Sequence, residues 1–211
     1  MRGQSSVISI VIIAGMVVAL IGIAYAWAIP MIEKRTAIAD YNMVESFMLE
    51  LDENIVDIAN TGSGDVLMEI PKGTLTVNGY NVTGDVNNTI TLDFYVEQPL
   101  ITSGGTIPIK TNSLDYIGEY GKTEPRVLIL SGSDAGDRTH LRMDMRYREL
   151  RSGAPNGYVI ALCPSTALDG CDDSISGGKK IRVYYHRSVT EQRDQLEGGD
   201  LKITCIGTEV Y

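Results

Sequence analysis

Residues able to do chemistry are sparse in this chain. Its two histidines, His140 and His186, stand far apart in sequence, and no nucleophile motif accompanies either. The segment Ile101-Thr102-Ser103-Gly104-Gly105-Thr106 has the glycines of a phosphate-binding loop but lacks its lysine and its strand–helix setting. Two acidic stretches, Ser133-Asp134 with Asp137 and Asp169 with Asp172-Asp173, offer oxygen ligands to a hard cation. Neither has the alternating spacing or the late bidentate glutamate of a calcium loop, so both read as solvated turns. The expectation is a protein that is not an enzyme, with no cofactor and no metal.

The cysteines and asparagines point to covalent chemistry outside the cytoplasm. Cys163 and Cys171 bracket a seven-residue loop, a spacing that suits a disulfide in an oxidising compartment, with two buried thiols as the alternative. Cys205 is the odd cysteine, read as a buried thiol or as a partner for either of the others. Asn81-Val82-Thr83 and Asn87-Asn88-Thr89 are candidate glycosylation sequons at Asn81 and Asn87. The basic cluster Arg138, Arg142, Arg146, Arg148 and Arg151 is the strongest local positive feature. On a strand, Arg142, Arg146 and Arg148 share one face opposite Met143, Met145 and Tyr147. That face reads as solvated, with an electrostatic contact to a neighbouring subunit's acidic helix or to an anionic surface polymer as its functional option.

These residues need a scaffold, and its first element is unlike the rest. Mean hydropathy over the whole chain is +0.00, yet residues 3–32 carry no charge at all and Arg2 is the one charge before them. The 181 residues from Met31 onward hold 17 basic and 27 acidic side chains, which excludes the basic footprint of a nucleic-acid binder. Val7 to Ile29 is uninterrupted and apolar but for Ser9, Gly15 and Gly22. Its 23 residues cover roughly 34 Å as a helix, enough to cross a bilayer core. Tyr25 and Trp27 sit at its outer end, where amphipathic rings favour the headgroup level. The run is too long for a secretory h-region, and no small-residue cleavage site follows it. Arg2 and the amino terminus argue for a cytoplasmic start, Lys34 and Arg35 for the reverse; the sequons and the cysteine pair tip the balance towards an external C-terminal part.

Arg2-Gly3-Gln4-Ser5-Ser6, abutting the apolar run, resembles the class III signal of archaeal type IV pilins and archaeal flagellins. The resemblance implies cleavage by a prepilin peptidase between Gly3 and Gln4, after which the apolar helix packs in a filament core. Val7, Ile10, Val17, Leu20 and Ile29 would then be membrane and assembly residues. Many pilins place a glutamate at the fifth mature position; here that position is Ile8.

The helix is expected to continue past Pro30, which removes one backbone donor and predicts a kink. Ile38, Tyr41, Val44, Met48, Leu51, Ile55 and Ile58 recur at helical spacing, with Glu33, Asp40, Glu45, Glu50, Asp52 and Glu53 mostly off that stripe. Gly62, Ser63 and Gly64 end it. Nine strand candidates follow: Val66 to Ile70, Thr74 to Val77, Thr89 to Val96, Thr106 to Lys110, Arg126 to Ser131, Leu141 to Glu149, Tyr158 to Leu162, Ile181 to Arg187 and Leu201 to Ile206. Thr190 to Leu196 reads as a short helix or a polar loop.

The sequence therefore predicts an α+β chain, with a long N-terminal helix, membrane-spanning then amphipathic, packed on a C-terminal antiparallel β-sandwich-like domain. Its parts are a leader at 1–3, the transmembrane and assembly helix at 4–60 and an extracellular β-rich domain at 61–211. The implied function is a pilin-like surface protein, a filament subunit or minor pilin contributing to adhesion. Its implied partners are other pilin subunits or itself, the membrane, a surface-layer component and the peptidase. The competing reading is a non-assembling single-pass envelope protein whose β-domain binds a surface-layer or motility component.

Overall fold

The computed structural model describes residues 4–84, 86–98, 104–111, 113–136, 138–152, 156–164, 170–192 and 199–211. A single helix, α1 (Gln4–Thr61), opens the chain and continues for 58 residues, about 87 Å, past Pro30. It stops where Gly62 takes φ +65°, a left-handed conformation that glycine adopts without a Cβ clash, and donates its N–H to the Ile58 carbonyl.

Among the described residues twelve strands follow: β1 (Asp65–Glu69), β2 (Thr74–Asn78), β3 (Thr89–Val96), β4 (Thr106–Pro108), β5 (Ile117–Glu119), β6 (Arg126–Asp134), β7 (Thr139–Tyr147), β8 (Glu149–Arg151), β9 (Gly157–Cys163), β10 (Ser174–Gly177), β11 (Lys180–Gln192) and β12 (Asp200–Val210). A 3-10 turn, Gly170–Asp172, precedes β10. The strands form two six-stranded sheets. Sheet I has the order β1-β11-β12-β9-β8-β5 and sheet II the order β10-β2-β3-β7-β6-β4. Pairing is mostly antiparallel; β12 with β9 and β5 with β8, both in sheet I, are parallel.

One apolar core joins all three layers. Val44, Met48, Leu51 and Ile55 of α1 are fully buried in the same cluster as Leu92, Phe94, Met143 and Met145 of sheet II and Ile181, Val183 and Ile206 of sheet I. Strand alternation explains the sheet II share: in β7, Leu141, Met143, Met145 and Tyr147 point inward. A second, smaller cluster lies on the opposite face of sheet I, built from Val159, Ala161, Leu201, Ile203 and the cysteines, with Tyr80 against it.

The molecule is thus α+β, a long helix packed on a β-sandwich-like domain, with several departures from the sequence reading. β5 and β10 are new: three and four residues long and rich in Gly or Ser, they carry no readable alternation. The strand expected from Leu141 to Glu149 divides after Tyr147, where alternation breaks and Arg148 turns inward. β11 runs on to Gln192, so Thr190–Gln192 is strand rather than helix or loop, paired to Lys202–Asp200 of β12; 193–196 lie outside the described residues. Ile38, assigned to the buried stripe, is 42% exposed, and its neighbour Ala37 is buried instead.

Candidate membrane and assembly interface

The first half of α1 is bare. From Ser9 to Ile32 every side chain is exposed except the half-exposed Ala28, and the most apolar window of the helix reaches a mean hydropathy of 2.5 with none of it buried. Ile10, Val17, Leu20 and Ile29 are 66, 48, 65 and 47% exposed. Gln4 and Val7 lie on the helix, their side chains outside what is described, and Gly3 lies outside the described residues. The chain therefore holds one N-terminal helix long and apolar enough to span a membrane.

The second half is gripped. Gln98 donates to Glu33 at 2.8 Å, Lys72 pairs with Asp40, and Lys110 stands 3.9 Å from Glu45. The deepest contact is at Asp52, which is 7% exposed. Spacing puts it on the buried stripe, four residues after Met48 and three before Ile55. Its Oδ1 accepts a hydrogen bond from the Tyr147 hydroxyl at 2.9 Å. Its Oδ2 lies 2.6 Å from Arg126 Nε, as an ion pair rather than a directed hydrogen bond, while Arg126 also donates to Glu124 at 2.9 Å. Burial pushes the Asp52 carboxyl up to about 6, outweighing the opposing pull of Arg126 and the Tyr147 hydrogen bond. Burial, then the charge of Asp52, raises the Tyr147 phenol. This clamp ties α1 to β6 and β7 of sheet II.

A second polar stitch joins the sheets. Asn88, buried and at φ +51°, donates from Nδ2 to the carbonyls of Tyr147 (3.1 Å) and Ile160 (2.8 Å) and accepts from Leu162 N–H (2.9 Å). Asn tolerates the left-handed region better than other residues with side chains, which fits the position. By sequence alone Asn88 is only the middle residue of a sequon. The two sequons differ accordingly: Asn81 and Thr83 are exposed on a turn, whereas Thr89 is buried in β3 and its hydroxyl donates to the Asn87 carbonyl.

The arginine cluster does not form one open basic face. Arg148 is 3% exposed, its guanidinium donating to the carbonyls of Glu124, Ser113, Asp115 and Arg126 at 2.7 to 3.3 Å, which corrects its placement beside Arg142 and Arg146. Arg142 lies 3.3 Å from Asp144 and 3.8 Å from Asp93. Arg146 sits over the Tyr116 ring at 3.8 Å, a cation–π contact, at the edge of a cleft of about 250 Å3 also lined by Leu114 and Ile129. Arg151 pairs with Glu149 at 2.9 Å.

The structure does bring a histidine beside a serine and an aspartate. Ser133 Oγ is 3.4 Å from His140 Nδ1, and His140 Nε2 is 2.9 Å from Asp93 Oδ1. Cross-strand register, not sequence proximity, aligns them over β6, β7 and β3. Ser133 is exposed on the open sheet face and its contact is long, so the row stitches three strands across solvent rather than enclosing a reacting group. His186 sits half-exposed at a bulge in β11 between Tyr185 and Arg187. Of the acidic loops, Asp134 caps the Gly136 N–H at 3.0 Å, the work of a turn residue, and the Asp173 backbone carbonyl accepts from Gly79 N–H; Asp137 and Asp169 lie outside the described residues, as do 101–103 of the glycine loop.

Cys163 and Cys171 are disulfide-bonded, with Cα atoms 4.0 Å apart, and Cys205 is a buried free thiol.

The comparisons with known proteins place the chain in one family and go no further. The family described as Family of unknown function (DUF7289) matches residues 2–109, just over half of the chain, and the chain belongs to it. No curated protein matches it. No solved structure matches it either.

Proposed function

We propose that this member of DUF7289 is a pilin-like surface protein, cut between Gly3 and Gln4, whose bare helical half packs in a filament core while the β-domain faces outward for adhesion. The observation that carries the reading is the division of one continuous helix. From Ser9 to Ile32 its side chains lie exposed, only Ala28 being half-exposed, while from Ala37 to Ala59 it carries a stripe buried in the domain. An apolar helix with nothing to cover it needs lipid or other apolar helices, because burial of such surface is strongly favourable. The Arg2-Gly3 pair immediately before it supports processing, since a charged leader holds the precursor in the membrane until it is removed. The family match takes in the whole helix and ends at Ile109, so residues 110–211 lie outside the part by which membership is recognised.

The reading has the β-domain outside the cell, on the strength of the disulfide and the exposed Asn81 sequon. Exposed rings on the head, Tyr95, Tyr116 and Tyr120, give it surface for contact with a partner. The function is structural rather than enzymatic.

Mass spectrometry of the native protein tests processing: the expected N-terminus is Gln4. An uncut leader, together with absence of the chain from sheared surface filaments, would leave the non-assembling envelope protein as the surviving account.

A further inference from the structure

The outer cluster on sheet I contains a chemical arrangement that a structural disulfide does not require. The sulfurs of Cys163, Cys171 and Cys205 all lie within 4.8 Å of one another, and all three residues are buried. They share a compartment with Val159, Ala161, Leu201 and Ile203, covered by Tyr80. The turn carrying Tyr80 is fixed there by backbone hydrogen bonds from Tyr80 N–H to Leu162 O and from Asn81 N–H to Cys171 O. Gly79 makes this approach possible: a Cβ at that position would stand 2.1 Å from the Cys171 carbonyl oxygen. The free thiol is thus held against a disulfide whose segment is itself pinned.

Strand register decides which sulfur the thiol can join. Cys205 of β12 lies opposite Ala161 of β9, two residues short of Cys163. Two residues along a strand add about 6.6 Å and the neighbouring strand is about 4.8 Å away, so the Cα atoms of Cys205 and Cys163 stand about 8 Å apart. That exceeds the limit of about 7 Å for a bridge without backbone movement. Cys171 is not bound by this register, because it sits on the 3-10 turn lying over the face.

We propose that Cys205 is an internal exchange thiol for the Cys163–Cys171 disulfide, with Cys171 as the shared sulfur. The Cys205 thiolate attacks Cys171 Sγ; the Cys171–Cys205 bond forms, the Cys163–Cys171 bond breaks, and Cys163 leaves as a thiolate that takes up the proton Cys205 gave up. The numbers of disulfides and thiols are unchanged, so no oxidant or reductant takes part. In one isomer the turn carrying Cys171 is tied to the end of β9, in the other to β12, which lies inside sheet I between β11 and β9. The cover over the outer cluster keeps a covalent anchor in both.

The experiment uses the full chain in detergent, with free thiols alkylated at low pH before a non-reducing digest and peptide mass mapping. In Cys163→Ser, refolded with oxidised glutathione, the expected product is a Cys171–Cys205 cross-link with no alkylated cysteine. In Cys171→Ser, both Cys163 and Cys205 should remain alkylatable. Wild-type protein held at about pH 8 without any added thiol should acquire the Cys171–Cys205 peptide pair, and Cys205→Ser should abolish it. Two free thiols in a folded Cys163→Ser overturn the proposal, and a Cys163–Cys205 bond in Cys171→Ser overturns the choice of Cys171. If Cys163→Ser does not fold, the wild-type incubation decides: absence of the Cys171–Cys205 pair there is the overturning result.

Discussion

The two halves of α1 are one helix in two chemical worlds. From Ser9 to Ile32 the helix shows its apolar side chains on every face, with Ile10, Val18 and Ile23 all at least 66% exposed. The half from Ala37 has a buried stripe and a polar back, and its stripe is closed over by both sheets. Their difference teaches where specificity resides. From Ser9 to Ile32 the bare half carries no polar side-chain group other than those of Ser9, Tyr25 and Trp27, so its contacts are set by shape and apolarity. The gripped half is addressed residue by residue, through Asp52, Asp40, Glu45 and Glu33.

That contrast can be broken most severely at Val17. A Val17→Asp chain should fail to form filaments, because an aspartate at mid-membrane depth costs about 2.5–3.5 kcal/mol on insertion scales and more where apolar helices pack. The melting temperature of its β-domain should not change; normal filaments seen by electron microscopy would remove the assembly role of this half. The converse change is Leu51→Ala, which should lower domain stability by about 2–5 kcal/mol in denaturant titration while leaving membrane fractionation intact.

A third test uses pH. Asp52 titrates near 3.8 when unfolded and near 6 in the folded chain. The folded state therefore holds a proton that the unfolded state gives up, and stability from this group is fully present below about 3.8 and is lost as pH rises through about 6. The full difference amounts to about 3 kcal/mol at most. Denaturation midpoints measured across that window should fall with rising pH, and Asp52→Asn should flatten this part of the profile. The smallest effect is expected at Ile38→Ser, under about 0.5 kcal/mol on the domain, since its side chain faces away from the core. A larger loss would mean that Ile38 packs against the domain after all.

Much of this contrast is legible in the residues. Val44, Met48, Leu51, Ile55 and Ile58 follow the helical period and are buried, and the charge-free run marks the bare half without ambiguity. Periodicity fails at Ile38 because a stripe states which side is apolar, not where along the helix the domain begins. It fails at Asp52 for another reason: a carboxylate among apolar positions reads as an outward residue until Arg126 and Tyr147, far away in sequence, are seen to receive it. Arg148 and Asn88 were equally hidden, since each is satisfied by backbone carbonyls from distant segments that no local pattern announces. The row of Ser133, His140 and Asp93 depends wholly on cross-strand register.

The unbroken passage of α1 from bare half to clamp has a mechanical consequence. No linker separates the apolar segment from the domain, so under the proposed reading the helix would act as a lever with its fulcrum in the bilayer or the bundle. From Ile29 to Thr61 the arm is roughly 48 Å long. A tilt of about 10° in the apolar segment, well inside the ordinary range for membrane helices, would sweep the far end of the domain by about 8 Å. Torque on the anchored segment would reach the head undamped, and a pull on the head would return to the anchor as rotation.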